Sequence, residues 1–215
     1  MTKIREDFEE ARERVLDRLT MFDRLDRYIS YDGYRTLDGY NEIENIVVLP
    51  DLFQTIGVAF TNSKEIEEIK TNKHLEVIER NAFNGCENLK SVVLNEGLKR
   101  IRNGAFAFTA ISEIVLPSTL EVLAANSIRS ENLTDIYVLS NHIKVKNVYS
   151  ACSKSANKQT NKIKVHFRKD RLDIDDEKLE YKNMLDAYYN TIVPEFSGYS
   201  NFREHGDMLE VLYDL

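Results

Sequence analysis

The residues that most often carry chemistry are few in this sequence and lie far apart. The histidines are His74, His142, His166 and His205, and the cysteines are Cys86 and Cys152. None of them shows the short spacing that metal sites or redox motifs require. The sequence also lacks a phosphate-binding loop, G-x-G-x-x-G, H-E-x-x-H and G-x-S-x-G. We therefore predict no catalytic residue, no cofactor and no metal, and expect a binding protein rather than an enzyme.

The composition is that of a folded globular protein, with 42% hydrophobic and 30% charged residues in a chain of 215. The amino terminus alternates charged residues where a signal peptide would carry an apolar run. No stretch approaches the roughly 18 apolar residues of a membrane span. Together with two widely separated cysteines, these features predict a cytoplasmic protein with free thiols and no membrane partner.

The net charge of -7 is unevenly distributed. Between Asn141 and Arg171, nine basic residues face one acid, Asp170, so this segment carries +8. Its candidate binding residues are Lys144, Lys146, Lys162, Lys164 and Arg168. Such a segment, residues 144–171, can bind a nucleic-acid backbone or an acidic protein, or can be a solvated loop. Because the whole chain is acidic and carries no nucleic-acid motif, the last two interpretations are favoured.

A repeat of 22 or 23 residues runs through the middle of the chain, with units that open at Ile66, Leu89, Ile111 and Leu133. A degenerate earlier unit begins at about Asn45. Apolar residues recur at equivalent positions in the columns Ile69, Val92, Ile114 and Ile136; Leu75, Leu98 and Leu120; Ile78, Ile101 and Leu123; and Phe83, Phe106 and Ile128. No single unit of this length can bury its own apolar side, so the repeat predicts a solenoid in which stacked units share one core.

Each full unit carries, three residues after the Ile78 column, a residue type that tolerates a positive φ. These residues are Asn81, Gly104 and Asn126. We predict a left-handed turn at each of them.

The pattern L-x-x-I-x-L-P-x-x-L-x-x-I-x-x-x-A-F-x-x-C resembles the BspA-like leucine-rich repeat. The resemblance is clearest in the sequences NAFNGC at 81–86, GAF at 104–106 and LP at 116–117, and it covers about residues 45–140. It implies an α/β fold, a right-handed solenoid with a parallel β-sheet along one side, used for protein recognition and usually without catalytic residues. It also implies that Cys86 is a buried core residue. Many members of the family are exported, and the absence of a signal peptide here argues against cell-surface adhesion.

The outward side of the predicted sheet is the main candidate site. Because side chains alternate along a strand, residues next to the buried column point outward. One outward column contains Lys70, Val93, Val115 and Tyr137, and the other contains Glu68, Ser91, Glu113 and Asp135. The result is an apolar stripe edged by acids, which predicts a protein interface. The alternative is that a terminal helix covers the stripe.

The flanks divide the chain into three predicted parts. Residues 1–44 should form an amphipathic helix to about Ile29 and a turn region, which caps the solenoid, makes a homo-oligomer or binds a partner. Residues 45–172 should form the solenoid, with strands around Val145 and Val165 joined by a basic insertion at 150–161. Residues 173–215 should form a helical cap whose last helix contains Met208 and Leu212.

The sequence thus predicts a non-catalytic protein-interaction module that binds a partner through the sheet face of the solenoid or through the flanking helices. It does not identify the partner. Occlusion of a target by an inhibitor, including one encoded by a phage or mobile element, would suit a lone solenoid of this kind. A structural or self-assembling component of a larger particle is the alternative, and nucleic-acid binding through residues 144–171 is the second alternative.

Overall fold

The computed structural model describes residues 29–30, 36–37, 45–49, 51–152, 162–168, 170, 176, 202–205 and 208–214. Most of the predicted amino-terminal helix therefore lies outside the described residues, as does most of the helix predicted after residue 175. Ile29, the expected helix end, lies instead in a short strand. No helix among the described residues is long and apolar enough to cross a membrane.

Fourteen strands and one helix are described. The strands are β1 Ile29–Ser30, β2 Thr36–Leu37, β3 Ile46–Val48, β4 Thr55–Ile56, β5 Glu68–Lys70, β6 Val77–Ile78, β7 Ser91–Val93, β8 Arg100–Ile101, β9 Glu113–Leu116, β10 Val122–Leu123, β11 Asp135–Val138, β12 Lys162–Arg168, β13 Phe202–His205 and β14 Met208–Asp214. The helix is α1, Val145–Cys152.

Each full repeat supplies one longer and one shorter strand, and the two kinds belong to separate sheets. The shorter strands form a six-stranded sheet in the order β1-β2-β4-β6-β8-β10. The longer strands form a three-stranded sheet, β3-β5-β7, and a five-stranded sheet, β13-β14-β12-β11-β9. Pairing between repeats is parallel, as in β4 with β6 and β9 with β11. The predicted parallel-sheet solenoid is thereby confirmed.

The core consists of the predicted apolar columns. Leu75, Leu98 and Leu120 are all completely buried, which confirms the register of the repeat. Phe83 and Phe106 stack with ring centroids 5.1 Å apart, and Phe60 adds a third ring at the same spacing from Phe83. This face-to-face ladder follows from the repeat, because equivalent side chains of successive units must lie one above the other.

The predicted left-handed turns are confirmed. The φ angles are 61° at Asn81, 69° at Gly104 and 56° at Asn126. At Gly104 the requirement for glycine is twofold, since an added Cβ would also overlap with the side-chain oxygen of Asn81. Glycine satisfies both conditions because it has no side chain.

Gly104→Val should lower the free energy of unfolding by about 1 to 3 kcal/mol through backbone strain at a positive φ. Urea unfolding followed by circular dichroism measures this loss. Gly104→Asn is the matched control, because asparagine tolerates this conformation. Equal losses in the two variants would assign the cost to the overlap with Asn81 and contradict the conformational explanation.

Phe108 occupies a second left-handed turn that the sequence did not reveal, with a φ of 58°. In the preceding repeats the equivalent turn residues are Asn62 and Gly85, with φ angles of 61° and 76°. Phenylalanine adopts this conformation at a cost that asparagine and glycine largely avoid. Its side chain remains 49% exposed, with the Arg129 guanidinium 4.4 Å from the ring centroid.

Phe108→Asn should therefore raise the free energy of unfolding, by up to about 1 kcal/mol. The gain from relieving backbone strain should exceed the loss of an exposed cation-π contact of about 0.5 to 1 kcal/mol. Differential scanning calorimetry checks this as a higher Tm. A lower Tm would show that the contacts of the ring outweigh the strain.

Helix α1 corrects the prediction of a strand around Val145. Val148, Ala151 and Cys152 are completely buried, and their spacing of three and four residues places them on one side of a helix. The helix also continues the stack, because Asn126 and Ile128 donate backbone hydrogen bonds to the carbonyl groups of Ser150 and Ala151. A helical turn at the next level of the solenoid thus substitutes for a repeat turn.

The predicted helical cap at 173–215 is wrong in its last part. Residues Met208–Asp214 form strand β14, which pairs antiparallel with the whole of β12, and β13 pairs with β14 in turn. The unpaired edge of β12 explains the difference. A strand edge offers a row of unsatisfied backbone groups, and pairing with a further strand satisfies them.

Candidate functional site

The outward side of the longer strands carries two columns of side chains, which together we call the recognition face. The register of the described strands aligns Ile46, Glu68 and Ser91, and then Glu113, Asp135 and Lys164, as the first column. It aligns Val48, Lys70 and Val93, and then Val115, Tyr137 and His166, as the second column. All eight residues of the two outward columns predicted from the sequence lie on this face.

The centre of the recognition face is apolar and open to solvent. Val93 and Val115 are 45% and 48% exposed, whereas Ile69 and Ile114, on the inward side, are at most 1% exposed. Neither valine is covered by a terminal helix within the described residues.

The apolar residues at the amino-terminal end of this face were not predicted from the sequence. Ile46 and Val48 are 56% and 63% exposed and are aligned with Glu68 and Lys70 of the next strand. Their signal was present in the degenerate unit at Asn45, to which the outward alternation was not extended. A second exposed apolar pair therefore lies on β3, separated from Val93 by the charged residues of β5.

His166 is a second missed residue. Its Nε2 lies 2.8 Å from Asp135 Oδ1, and its ring stacks on that of Tyr137 with centroids 4.4 Å apart. Both contacts arise because β11 and β12 are neighbours in the sheet. The hydrogen bond and the stacking fix the orientation of the imidazole, and His166 supports Tyr137 from one side.

The basic candidates are distributed over several parts of the structure. Lys164 is exposed on the recognition face, Lys146 is exposed on α1, and Lys144 is half-buried just before that helix. Arg168 is exposed and forms an ion pair with Asp170. The backbone of Lys162 opens β12, and its side chain lies outside the described part.

Both cysteines are buried and free. Burial raises the pKa of Cys86 to about 11 and that of Cys152 to about 12. Cys86 Sγ also donates a hydrogen bond to the carbonyl oxygen of Phe60 at 2.9 Å. A buried thiol with a raised pKa is a poor nucleophile at neutral pH, which supports a structural role for both residues.

Within the described residues, no group of three or more histidine, cysteine, aspartate or glutamate side chains is arranged to hold a metal ion. The contact between His166 and Asp135 joins polar side chains of the neighbouring strands β12 and β11 on the recognition face. The exposed valines, half-buried Tyr137 and the acids beside them are suited to non-covalent contact with another molecule.

Stacked units of 22 or 23 residues, each with a strand in a parallel sheet and a buried leucine, define a leucine-rich-repeat solenoid. Six copies of the BspA type leucine-rich repeat region are recognised over residues 37–166. The chain therefore belongs to the BspA type leucine-rich repeat family. The match extends beyond residues 45–140, where the sequence pattern was evident.

Solved structures of bacterial leucine-rich repeat proteins resemble this chain. One from T. pallidum is 25% identical, with a TM-score of 0.50, over 56% of this chain and 61% of its own. One from Bacteroides capillosus is 28% identical, with a TM-score of 0.46, over 51% of this chain and 90% of its own. The alignment thus spans about three fifths of the T. pallidum protein. No curated protein matches the chain.

Proposed function

We propose that this chain is a non-catalytic protein that binds another protein through the recognition face. Leucine-rich repeat proteins generally mediate protein-protein interaction, and the chain belongs to such a family. The observation that carries the proposal is the exposure of Val93 and Val115, at 45% and 48%, on the adjacent edge strands β7 and β9. Exposed apolar residues grouped on one side of a folded protein are typical of an interface.

The polar surroundings of the valines support a specific rather than a general contact. Glu113 is exposed on the same side of β9 as Val115. On β11, the Asp135 carboxylate forms a hydrogen bond with the imidazole of His166 from β12. Charged groups around an apolar centre set the orientation of a partner and exclude partners of the same charge. Tyr137 adds the aromatic side chain that interfaces favour, and it is already ordered by stacking on His166.

This mode of action needs no chemistry from the chain itself. An inhibitor that occludes a surface of its target is one function of this kind, and we include it in the proposal. Self-assembly through residues 1–44 and nucleic-acid binding through residues 144–171 remain the alternative functions. The cytoplasmic location also remains a prediction.

Affinity capture from extracts of the native host, with quantification by mass spectrometry, tests the proposal. The native chain and Val115→Asp are used as paired baits, and Val122→Asp is the matched control. Val122 is 39% exposed on β10, in the six-stranded sheet, which is separate from the strands of the recognition face. We expect one protein to be retained by the native chain and by the control but lost from Val115→Asp. Equal recovery on all three baits would contradict binding through the recognition face.

A further inference from the structure

The recognition face is divided between β7 and β9. The three-stranded sheet ends at β7 and the five-stranded sheet begins at β9, although these strands are adjacent. On the other side of the same two repeats, β8 and β10 pair in parallel. The solenoid is thus continuous at this level, and the division, which we call the seam, is local to the recognition face.

The sequence differs at the seam, where Pro117 lacks a backbone donor: its equivalent in the next repeat, Leu139, donates its N-H to the Leu116 carbonyl oxygen at 3.0 Å between β9 and β11. A second contact is also absent there. Between β5 and β7, the Thr71 N-H donates to the Val93 carbonyl oxygen at 3.0 Å, and the Asn95 N-H donates to Thr71 Oγ1 at 2.8 Å. One repeat later, the equivalent positions are Leu94 and Pro117. Leucine has no hydroxyl group and proline has no N-H, so this clamp cannot form between β7 and β9.

The seam exposes part of the core. Val92 and Leu94 are half-buried, whereas their equivalents in the next repeat, Ile114 and Leu116, are 1% and 0% exposed. Val93 and Val115 stand on the two sides of the seam and are nearly half exposed. The seam therefore places two partly exposed core side chains beside two exposed valines, an apolar group of the kind on which interfaces seat an anchoring side chain.

The charges beside the seam indicate what accompanies that side chain. In the first column, Glu68 and Glu113 flank Ser91, and Asp135 follows on β11. From Ile46 to Asp135 this column contains three acids and no base. The second column has one base in the same interval, Lys70. A partner segment that lies across the strands at the first column therefore meets an acidic row, two residues along each strand from the column that holds Val93 and Val115.

We propose that the seam receives one large apolar side chain of a partner segment that also carries lysine or arginine residues facing the acidic column. This inference rests on the proposed function and specifies the chemistry of the partner. Insertion of the apolar side chain covers Val92 and Leu94, and the cations neutralise Glu68 and Glu113. Electrostatic complementarity of this kind fixes orientation and speeds association.

A synthetic amphipathic peptide of leucine and lysine, labelled with a fluorophore, is the probe. A peptide of leucine and glutamate with the same length is its control, and fluorescence anisotropy gives the Kd. We expect the lysine peptide to bind at least about tenfold more tightly than the glutamate peptide, and its affinity to fall as salt is added.

Three variants of the full chain test the seam itself. The double substitution Leu94→Thr with Pro117→Asn introduces the clamp and the missing backbone N-H, and should reduce peptide affinity about tenfold by closing the seam. Glu113→Lys should reduce it about threefold or more through repulsion. Glu121→Lys makes the same charge change at an exposed glutamate outside the recognition face, just before β10 of the six-stranded sheet. It should leave the affinity unchanged.

Circular dichroism establishes that each variant is folded, and Glu113→Lys keeps the test decisive if the double variant does not fold. Equal binding of the two peptides, or equal effects of Glu113→Lys and Glu121→Lys, would overturn the proposal. So would self-association in sedimentation experiments that Val115→Asp abolishes, because the occupant would then be a second copy of the chain. If the lysine peptide fails to bind while Val115→Asp still loses the native partner, the seam proposal fails and the proposed function stands.

Discussion

Leu98→Ala should lower the free energy of unfolding by about 2 to 5 kcal/mol. Leu98 is completely buried between Leu75 and Leu120, which are its equivalents in the adjacent repeats. Its truncation removes the transfer free energy of the side chain and leaves a cavity that two rigid neighbours cannot fill. Because each repeat is stabilised by its neighbours, the loss should weaken the stack on both sides of this position. Urea unfolding, followed by circular dichroism, measures the change.

Glu121→Ala is the matched control for this measurement, because Glu121 is exposed in the following repeat. It should change the free energy of unfolding by less than about 0.5 kcal/mol. A loss of less than about 1 kcal/mol in Leu98→Ala would mean that the repeats do not share one core.

The fold of the central region was predictable because several independent columns of the repeat agree on one register. Four columns of apolar residues recur together, so a wrong register would have placed polar residues in the core at several levels at once. The positions of Leu98 and Gly104 followed from that register, and both are as predicted.

The carboxyl-terminal flank was not predictable in the same way. The spacing of Met208 and Leu212 fits a helix, yet these residues lie in β14 because the edge of β12 is available for pairing. The periodicity of a short segment does not contain information about a distant unpaired edge. The opposite error occurred at Val148 and Ala151. Their spacing fits the observed helix α1, but a strand was predicted there from the alternation around Val145.

The candidate site was partly predictable for a related reason. The outward columns follow from the alternation of side chains along strands, so Val115 and Glu113 could be placed from the sequence. His166 could not, because its contact with Asp135 depends on β12 being the next strand beyond β11, although 31 residues separate the two in sequence. The seam could have been predicted by comparing adjacent repeats, because Leu94 and Pro117 stand where the preceding repeat has Thr71 and Asn95.

Val115→Asp should abolish partner binding while leaving the fold intact, and this is the largest functional effect that we expect. Val115 is 48% exposed, so its replacement should change the free energy of unfolding by less than about 1 kcal/mol. A carboxylate in the centre of an interface loses its hydration without gaining a partner, which should weaken binding by at least about 100-fold. Isothermal titration calorimetry with the captured partner measures the loss, and Val122→Asp should bind as the native chain does.

The salt dependence of the same interaction separates the recognition face from the basic segment. If the partner binds through residues 144–171, replacing Lys162, Lys164 and Arg168 with glutamine should weaken binding and flatten its dependence on salt, because screened attraction between charges would then dominate. If it binds through the recognition face, this triple variant should lose about tenfold at most, since Arg168 is already paired with Asp170 and only Lys164 is observed on that face. Val115→Asp should then remain the more damaging change at every salt concentration. The reverse order of effects would assign the interface to the basic segment.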